Sequence, residues 1–317
     1  MRLLVTGGAG YVGSVVSRHL LEAGHEIVVL DNLATGFADA VPAGVELVEA
    51  DIRDASSVLS RHPGFDGVLH FAAKSLVSVE HPERYWHNNA VGSLALLDAM
   101  REHSVPRLVF SSTAAVYGEP DGCPIPETAP TRPTNAYGAS KLTVDMMMTT
   151  ESMAYGLAAT SLRYFNVAGA GRGAGERHDP ETHLIPVALQ VVSGRREGLV
   201  IHGDDYPTPD GTCVRDYIHI DDLARAHLLA LERAVPGRHR IYNLGNGAGF
   251  SVRQVIESVR RVTGHPVPAT IGPRRGGDTA ELVASSELAR EELGWRPEKP
   301  GLDQIVADAW NFALQRV

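Results

Sequence analysis

The first half of the chain alternates short, unbroken apolar runs with longer segments whose apolar residues recur every three to four positions. The runs are RLLVT (2–6), EIVVLD (26–31), VELVEAD (45–51), GVLHFA (67–72), RLVFSS (107–112) and AATSLRYFN (158–166). Strands covered on both faces read as continuous apolar runs, whereas half-exposed strands alternate. Between them, GYVGSVVSRHLLEAG (10–24) reads as a helix ending near Gly24, and PERYWHNNAVGSLALLDAMREH (82–103) as another. Strand–helix alternation of this kind builds βαβ units and a Rossmann-type doubly wound parallel sheet in an α/β fold.

The pattern changes after Asn166. VAGAGRGAGERHDPET (167–182) is glycine-rich and polar and reads as a long loop, of the kind that in compact domains is usually functional or mobile. DDLARAHLLALERA (221–234) returns to a helical apolar face. SVRQVIESVRRVTG (251–264) places Val252, Val255, Ile256 and Val259 on one face, with Ser251 and Gln254 forming a capping box. The expected division is a Rossmann domain over 1–165 with a return segment at about 217–248. A smaller mixed α/β lobe takes 166–216 and 249–317 and binds substrate.

The chain has 317 residues, enough for one large α/β domain and a lobe with a sizeable core. Hydrophobic residues make up 44% and charged residues 21%, as in ordinary globular chains. The formal charge of −9 argues against nucleic acid as a partner, because phosphate backbones need a basic face. A small phosphorylated ligand held by a few arginines stays compatible with it. The two cysteines, Cys123 and Cys213, read as free thiols of a reducing compartment, with no His/Cys cluster at metal-ligand spacing. No metal is therefore expected. The apolar run Leu3–Val5 is too short for a signal-peptide core, and no segment approaches the roughly 20 apolar residues of a membrane span. A cytoplasmic protein without a membrane partner is expected.

VTGGAGYVG places Gly7, Gly10 and Gly13 after a strand and at the opening of a helix. In that context the glycines let the backbone approach a pyrophosphate, and the helix N-terminus offers free N–H groups and a positive dipole end. Asp31, ending the second strand, is placed to accept hydrogen bonds from an adenosine ribose. It would repel a 2′-phosphate, so NAD is expected over NADP. Asp51, in EADIRD, falls at the end of the third strand beside the adenine; it reads equally well as the cap of a helix over ASSVLSRH. FAAK closes the fourth strand with small residues and Lys74.

TNAYGASKLTVD (134–145) carries Tyr137 and Lys141 at i and i+4 on one helix face. A free tyrosine titrates near pH ~10 and is a poor base at neutrality, so a nearby cation must stabilise its phenolate. Lys141 and a nicotinamide ring supply such cations. Thr113, in SSTAAVYG, adds a hydroxyl at the carboxyl edge of the sheet, where ligands bind in open α/β folds.

These residues, with GGAGYVGS, DNL, DIRD, FAAKS, SSTAAVYG, YGASK, LRYFNVAGA, GDDYPTPDGTCVRDYIHIDDLA and PRRGGD, resemble the extended short-chain dehydrogenase/reductase family, and within it the UDP-glucose (UDP-galactose) 4-epimerases. The resemblance covers nearly the whole chain, and the segment 203–224 is its most specific part. It implies Tyr137 as the catalytic acid/base, Lys141 as its partner and Thr113 as the assisting hydroxyl. It implies NAD contacts at Gly7, Gly10, Tyr11, Val12, Gly13, Asp31, Asn32, Asp51, Ile52, Phe71, Ala72, Ala73, Lys74, Asn88, Tyr137, Lys141, Tyr164 and Phe165. It implies nucleotide-sugar contacts at Thr113, Asn166, His183, Leu184, Val200, His202, Arg215, Arg275, Asp278 and Leu282, the arginines suiting a diphosphate. The reaction implied is inversion at C4 of a UDP-hexose, by removal of the O4 proton and C4 hydride, rotation of a 4-keto intermediate and return of the hydride. A homodimer packed through helices is also implied.

Four positions depart from the family pattern. KSLVSVE after Lys74 is one residue shorter than the usual loop, His202 stands where an aromatic stacks on uracil, His183 stands where Asn is common, and Leu282 occupies a gate position for N-acetylated sugars. Related activities fit less well. Nucleotide-sugar 4,6-dehydratases place Asp-Glu after the threonine and UDP-glucuronate decarboxylases a Glu at the second position, where this chain has Ala114 and Ala115. A non-catalytic NAD-binding regulator would be expected to lose Tyr137 or Lys141, and both are present.

Overall fold

The computed structural model describes residues 1–75 and 81–316. In chain order the first half runs β1 (Arg2–Thr6), α1 (Tyr11–Glu22), β2 (Glu26–Asp31), β3 (Glu46–Glu49), α2 (Ala55–Arg61), β4 (Gly67–His70), α3 (Pro82–Tyr85), α4 (Gly92–Glu102), β5 (Arg107–Thr113), α5 (Ala136–Tyr155) and β6 (Ala158–Tyr164). The second half runs β7 (Asn166–Ala168), β8 (Ala170–Gly171), β9 (Ala174–Gly175), α6 (Leu184–Val192), β10 (Leu199–His202), β11 (Val214–His219), α7 (Ile220–Glu232), β12 (His239–Leu244), β13 (Gly249–Ser251), α8 (Val252–Thr263), β14 (Ala269–Gly272), β15 (Glu281–Leu282) and α9 (Leu302–Leu314).

Seven strands form one parallel sheet in the order β12-β6-β5-β4-β1-β2-β3. The order reverses between β1 and β4, so a crevice opens outside their carboxyl ends, where open α/β sheets bind ligands. Both faces are covered, which is why the strand runs are apolar throughout. One core holds Leu3, Val5, Val29, Leu69, Val109 and Leu162 beneath α1 and α7; the other holds Leu4, Val28, Leu30, Val68, Leu108 and Phe110 beneath α2, α4 and α5. The smaller core gathers Ile185, Leu189, Val255, Ile256, Val259, Ile305 and Val306 from α6, α8 and α9. The Ser251–Gln254 capping box forms at the start of α8.

Three expectations are corrected. The single helix read over 82–103 is interrupted: α3 passes through a π-helical stretch, Trp86–Val91, before α4. π-bulges break the 3.6-residue phase and occur mostly at functional sites. The long loop read over 167–182 contains strands: β7 pairs with β11, and β8 with β9 in a short hairpin. The strand β12, HRIYNL, was absent from the sequence reading, because its first half is polar and only its register beside β6 identifies it. The shortened loop after Lys74 lies partly outside the described residues, which omit 76–80.

Candidate active site

The glycine turn is sterically enforced. A Cβ on Gly13 would lie 2.2 Å from the Gly7 carbonyl oxygen, and one on Gly7 (φ +73°) would lie 2.5 Å from the Ala72 nitrogen. Close approach thus joins the turn after β1 to Phe71–Ala72 at the end of β4, on the two sides of the switch point. Gly10 is the N-cap of α1, and neither a side-chain cap nor an acidic residue occupies the first turn. Tyr11, Val12 and Gly13 therefore begin the helix with main-chain N–H groups directed out of its N-terminus, which suits a pyrophosphate. The Tyr11 ring turns away, its hydroxyl donating to the Gly169 carbonyl at 2.7 Å.

Asp31 ends β2, 8% exposed, and its carboxylate accepts from Ala9 N–H (3.0 Å) and Leu33 N–H (2.9 Å). Burial raises its pKa, opposed by those two bonds. Asn32 follows, its side-chain oxygen accepting from Ala34 N–H. Asp51 caps a 3-10 turn, Ile52–Asp54, rather than α2, whose N-cap is Asp54; it accepts from Arg53 N–H and pairs with the Arg53 guanidinium, and that pairing holds its pKa down at about 2. Ile52 is buried against the second core.

Past β4, Phe71 packs its ring 4.9 Å from His227, and Ala72 and Ala73 are half-buried. Lys74 is exposed, but its main chain is fixed: Asn89 accepts from Lys74 N–H at 2.8 Å and donates to Lys74 C=O at 3.1 Å. Asn89 also donates to the Ser140 hydroxyl on α5, and Asn88 donates to Asn89. Asn89 was missed in the sequence. Its signal was the neighbouring Asn88, but only the π-helical phase turns Asn89 inward.

The reactive pair sits on α5, whose N-cap Asn135 accepts from Gly138 N–H. Gly138 is required there, since a Cβ would lie 2.4 Å from the Ala115 carbonyl oxygen. Lys141 is 1% exposed. Its ammonium donates to the Ser111 carbonyl at 2.6 Å and lies 4.6 Å from the Phe110 ring centroid and 5.9 Å from that of Tyr137. Burial lowers its pKa to about 7, with the Asp145 carboxylate opposing. Burial pushes the Tyr137 phenol up to about 12, partly offset by its hydrogen bond with the Thr113 hydroxyl and reinforced by Tyr85, whose ring packs edge-on 6.3 Å away. Thr113 ends β5 and also accepts from Ala115 N–H. The structure therefore brings Thr113, Tyr137 and Lys141 together at the carboxyl edge. It shifts the phenol upward, so the lowering required of a neutral-pH base must come from added positive charge.

Across the crevice, Tyr164 is buried beside His227, and Phe165 packs with Val116, Tyr117, Ile125 and Leu282. Asn166 pairs with Tyr217 in register. Arg215 and Asp278 meet at 3.3 Å, the guanidinium also donating to the Val214 and Thr279 carbonyls. Leu282 lies opposite Arg215 in the β11–β15 register. Arg275 is exposed, and its carbonyl accepts from Asp278 N–H. Val200 and His202 lie on β10, paired with β14, and are exposed and half-buried. Leu184 opens α6 behind its N-cap, His183.

His183 belongs to a set that was not read in the sequence. Glu176, His178, Glu181 and His183 offer ligand atoms within 4.8 Å of one another. The expectation of no metal rested on the cysteines and the absence of a His/Cys cluster and did not weigh this E-x-H-x-x-E-x-H spacing. Bonding to Glu176 raises the His178 pKa against the opposing effect of burial. Burial works against charge on Glu181 and His183 alike. Their mutual hydrogen bond nevertheless holds the carboxyl below and the imidazole above their ordinary values.

The model of the NAD dependent epimerase/dehydratase family matches residues 3–245. The chain is 61% identical over 314 residues to a UDP-glucose 4-epimerase of Corynebacterium glutamicum, covering 98% of this chain and 95% of that one. A crystal structure of a UDP-glucose 4-epimerase superimposes with a TM-score of 0.95 at 47% identity, covering 100% and 98% of the two chains. The Stenotrophomonas maltophila UDP-glucose 4-epimerase, solved with bound NAD and formylated UDP-arabinopyranose, gives 0.94 at 40% identity, covering 100% and 99%.

Proposed function

The chain belongs to the NAD dependent epimerase/dehydratase family, and we propose on that premise that it interconverts UDP-glucose and UDP-galactose by inversion at C4. The observation that carries this reading is the half-buried Tyr137, hydrogen-bonded to Thr113 and one helical turn from buried Lys141 at the carboxyl edge of the sheet. Bound NAD supplies a hydride acceptor and donor for C4. The enforced turn at Gly7, Gly10 and Gly13, the uncapped N-terminus of α1 and Asp31 fit that cofactor.

The chain's own groups handle the proton and the anchor. The Tyr137 phenolate accepts the O4 proton, the Thr113 hydroxyl orients the phenolic oxygen, and protonated Lys141 supplies positive charge beneath the ring. Arg215 and Arg275 carry the diphosphate, with Asn166, His183, Leu184, Val200, His202, Asp278 and Leu282 around the nucleotide and sugar. Holding the substrate by UDP leaves the sugar free to turn between two faces. The division at 1–165 with 217–248, against 166–216 with 249–317, separates the groups holding cofactor from those holding UDP.

Purified protein incubated with UDP-galactose, without added cofactor, should form UDP-glucose with no net NADH. Absence of UDP-glucose from protein shown to contain NAD would overturn the reading. Asp31→Ala should weaken NAD about 10–100-fold, the loss of hydrogen bonds to a charged group costing about 1.5–3 kcal/mol, and should relax discrimination against NADP. An unchanged affinity on cofactor-stripped protein removes Asp31 from the ribose.

Leu282 bears on sugar choice. It is half-buried, packed with Phe165 and opposite Arg215. UDP-galactose should be preferred, with the 2-acetamido analogue turned over more slowly. Leu282→Ser should raise relative activity on the analogue by roughly tenfold or more, pocket changes on the scale of a methylene being worth about 1–3 kcal/mol. A lowered melting point with an unchanged substrate ratio would instead make Leu282 a packing residue.

The reading extends to a cytoplasmic homodimer. No helix among the described residues is long and apolar enough to cross a membrane. Exposed Trp86 and Val91 in the π-helical stretch, Leu94 on α4 and Met146 and Met153 on α5 are large apolar side chains available to a second copy. Light scattering on the purified chain tests this, and a monomer at micromolar concentration contradicts it.

A further inference from the structure

The four side chains gathered ahead of α6 have no part in the proposed proton and hydride chemistry, apart from the position of His183. The Glu176 and Glu181 side chains are 10% and 3% exposed. Buried carboxylates need compensation by a cation or by several donors. Among the described residues no Lys or Arg pairs with either one. The intervening Arg177 turns outward, 2.7 Å from Asp39 and 3.8 Å over the Phe37 ring. Arg196 reaches Glu181 only at its main-chain carbonyl.

Both carboxylates meet imidazoles, and Glu181 Oε1 also accepts from the main-chain N–H groups of Thr182 (2.7 Å) and His183 (2.8 Å). His178 Nδ1 contacts Glu176 Oε1, and His183 Nδ1 lies 2.8 Å from Glu181 Oε1 and 3.8 Å from Glu176 Oε2. Glu176 Oε1 and His178 Nδ1 are both buried and face each other inside the cluster. A cavity of about 410 Å³ lined by Glu176, His178 and Glu181 gives the cluster an entry path.

We propose that Glu176, His178, Glu181 and His183 form a divalent-cation site that takes Zn²⁺. Two imidazoles and two carboxylates are a borderline donor set, suited to a four-coordinate transition-type ion rather than to Mg²⁺ or Ca²⁺, which take oxygen ligands. Bonds of about 2.0–2.2 Å put tetrahedral donors roughly 3.5 Å apart, so closing from 4.8 Å needs side-chain adjustment of only about an ångström. The ion replaces the close carboxylate–imidazole contacts and fixes the segment 176–183 to the N-cap of α6. Its role is structural and independent of the C4 chemistry.

The test uses the full chain, stripped with chelator, loaded with Zn²⁺ and exhaustively dialysed. Elemental analysis should give one Zn²⁺ per chain, and competition with a chromophoric chelator should give a single tight site. Glu176→Gln/His178→Gln should bind Zn²⁺ at least about 100-fold more weakly, since losing even an outer-shell partner of a metal ligand costs about 10–100-fold. Circular dichroism monitors folding of the variant. The wild type loaded with Co²⁺ gives a readout that needs no variant: strong visible absorption of a four-coordinate ion is expected. No retained Zn²⁺, equal retention in the double variant, or a weak six-coordinate Co²⁺ spectrum would each overturn the site.

Discussion

Tyr137→Phe should lower kcat by about 10²–10⁴-fold while leaving the fold and bound NAD intact, as is typical when a positioned general acid/base is removed. The substitution deletes one oxygen from a half-buried ring held edge-on to Tyr85 and keeps that packing. What is lost is the atom hydrogen-bonded to Thr113 and stabilised, once ionised, by Lys141. That stabilisation must be large, because burial alone pushes the phenol up to about 12. The charge of Lys141 and of the oxidised nicotinamide has to reverse that shift. The phenolate matters in the transition state more than in the bound ground state, so kcat and kcat/KM should fall together. The measurement is steady-state conversion of UDP-galactose, with cofactor content assayed after denaturation. Turnover within tenfold of wild type would show that Tyr137 is not the base.

Asp145→Ala should cost about 3–5 kcal/mol of stability, the typical loss when one partner of a buried ion pair is removed. Asp145 lies on α5 one turn beyond Lys141, and its carboxylate accepts from Arg163 Nη2 at 2.9 Å and Nε at 3.1 Å. The two side chains are 3% and 4% exposed. Without the carboxylate, the buried Arg163 charge on β6 loses its counter-ion. Arg163 also donates to the Tyr117 hydroxyl, which donates to Asn243 on β12, whose side chain donates to the Ile125 carbonyl. The loss should therefore loosen the β6–β12 edge and the wall behind Phe165. Asp145→Asn, which keeps an acceptor, should cost less. Denaturant midpoints at a fixed, saturating NAD concentration make the comparison, because ligand binding itself shifts apparent stability. A loss under about 1 kcal/mol would show that water or another carboxylate compensates Arg163.

Much of this architecture is written in local pattern. Continuous apolar runs specify strands covered on both faces, and Gly7, at φ +73°, with Gly13, packed on the Gly7 carbonyl, specifies a tight turn. The i, i+4 spacing puts Tyr137 and Lys141 on one helix face, and Ser251 with Gln254 starts α8. Each of these depends on residues within about one turn of helix or one strand, so a single sequence contains the information.

Other features depend on residues far apart, and only the tertiary structure decided them. β12 is a strand because it finds β6 some 80 positions earlier. The inward turn of Asn89 comes from a π-helical phase that α5 packs against. The shifts of Lys141 to about 7 and Tyr137 to about 12 arise from desolvation, which is set by the β5–α5 packing and not by spacing. Arg215 meets Asp278 across 63 positions. The Glu176–His183 set is close in sequence, yet polar glycine-rich sequence alone reads as loop. The β8–β9 hairpin and the start of α6 bring its donors together, and the two carboxylates lose most of their water. Sequence determined which groups are present and which local shapes they take; long-range packing decided which lose water, and hence which charges require a partner.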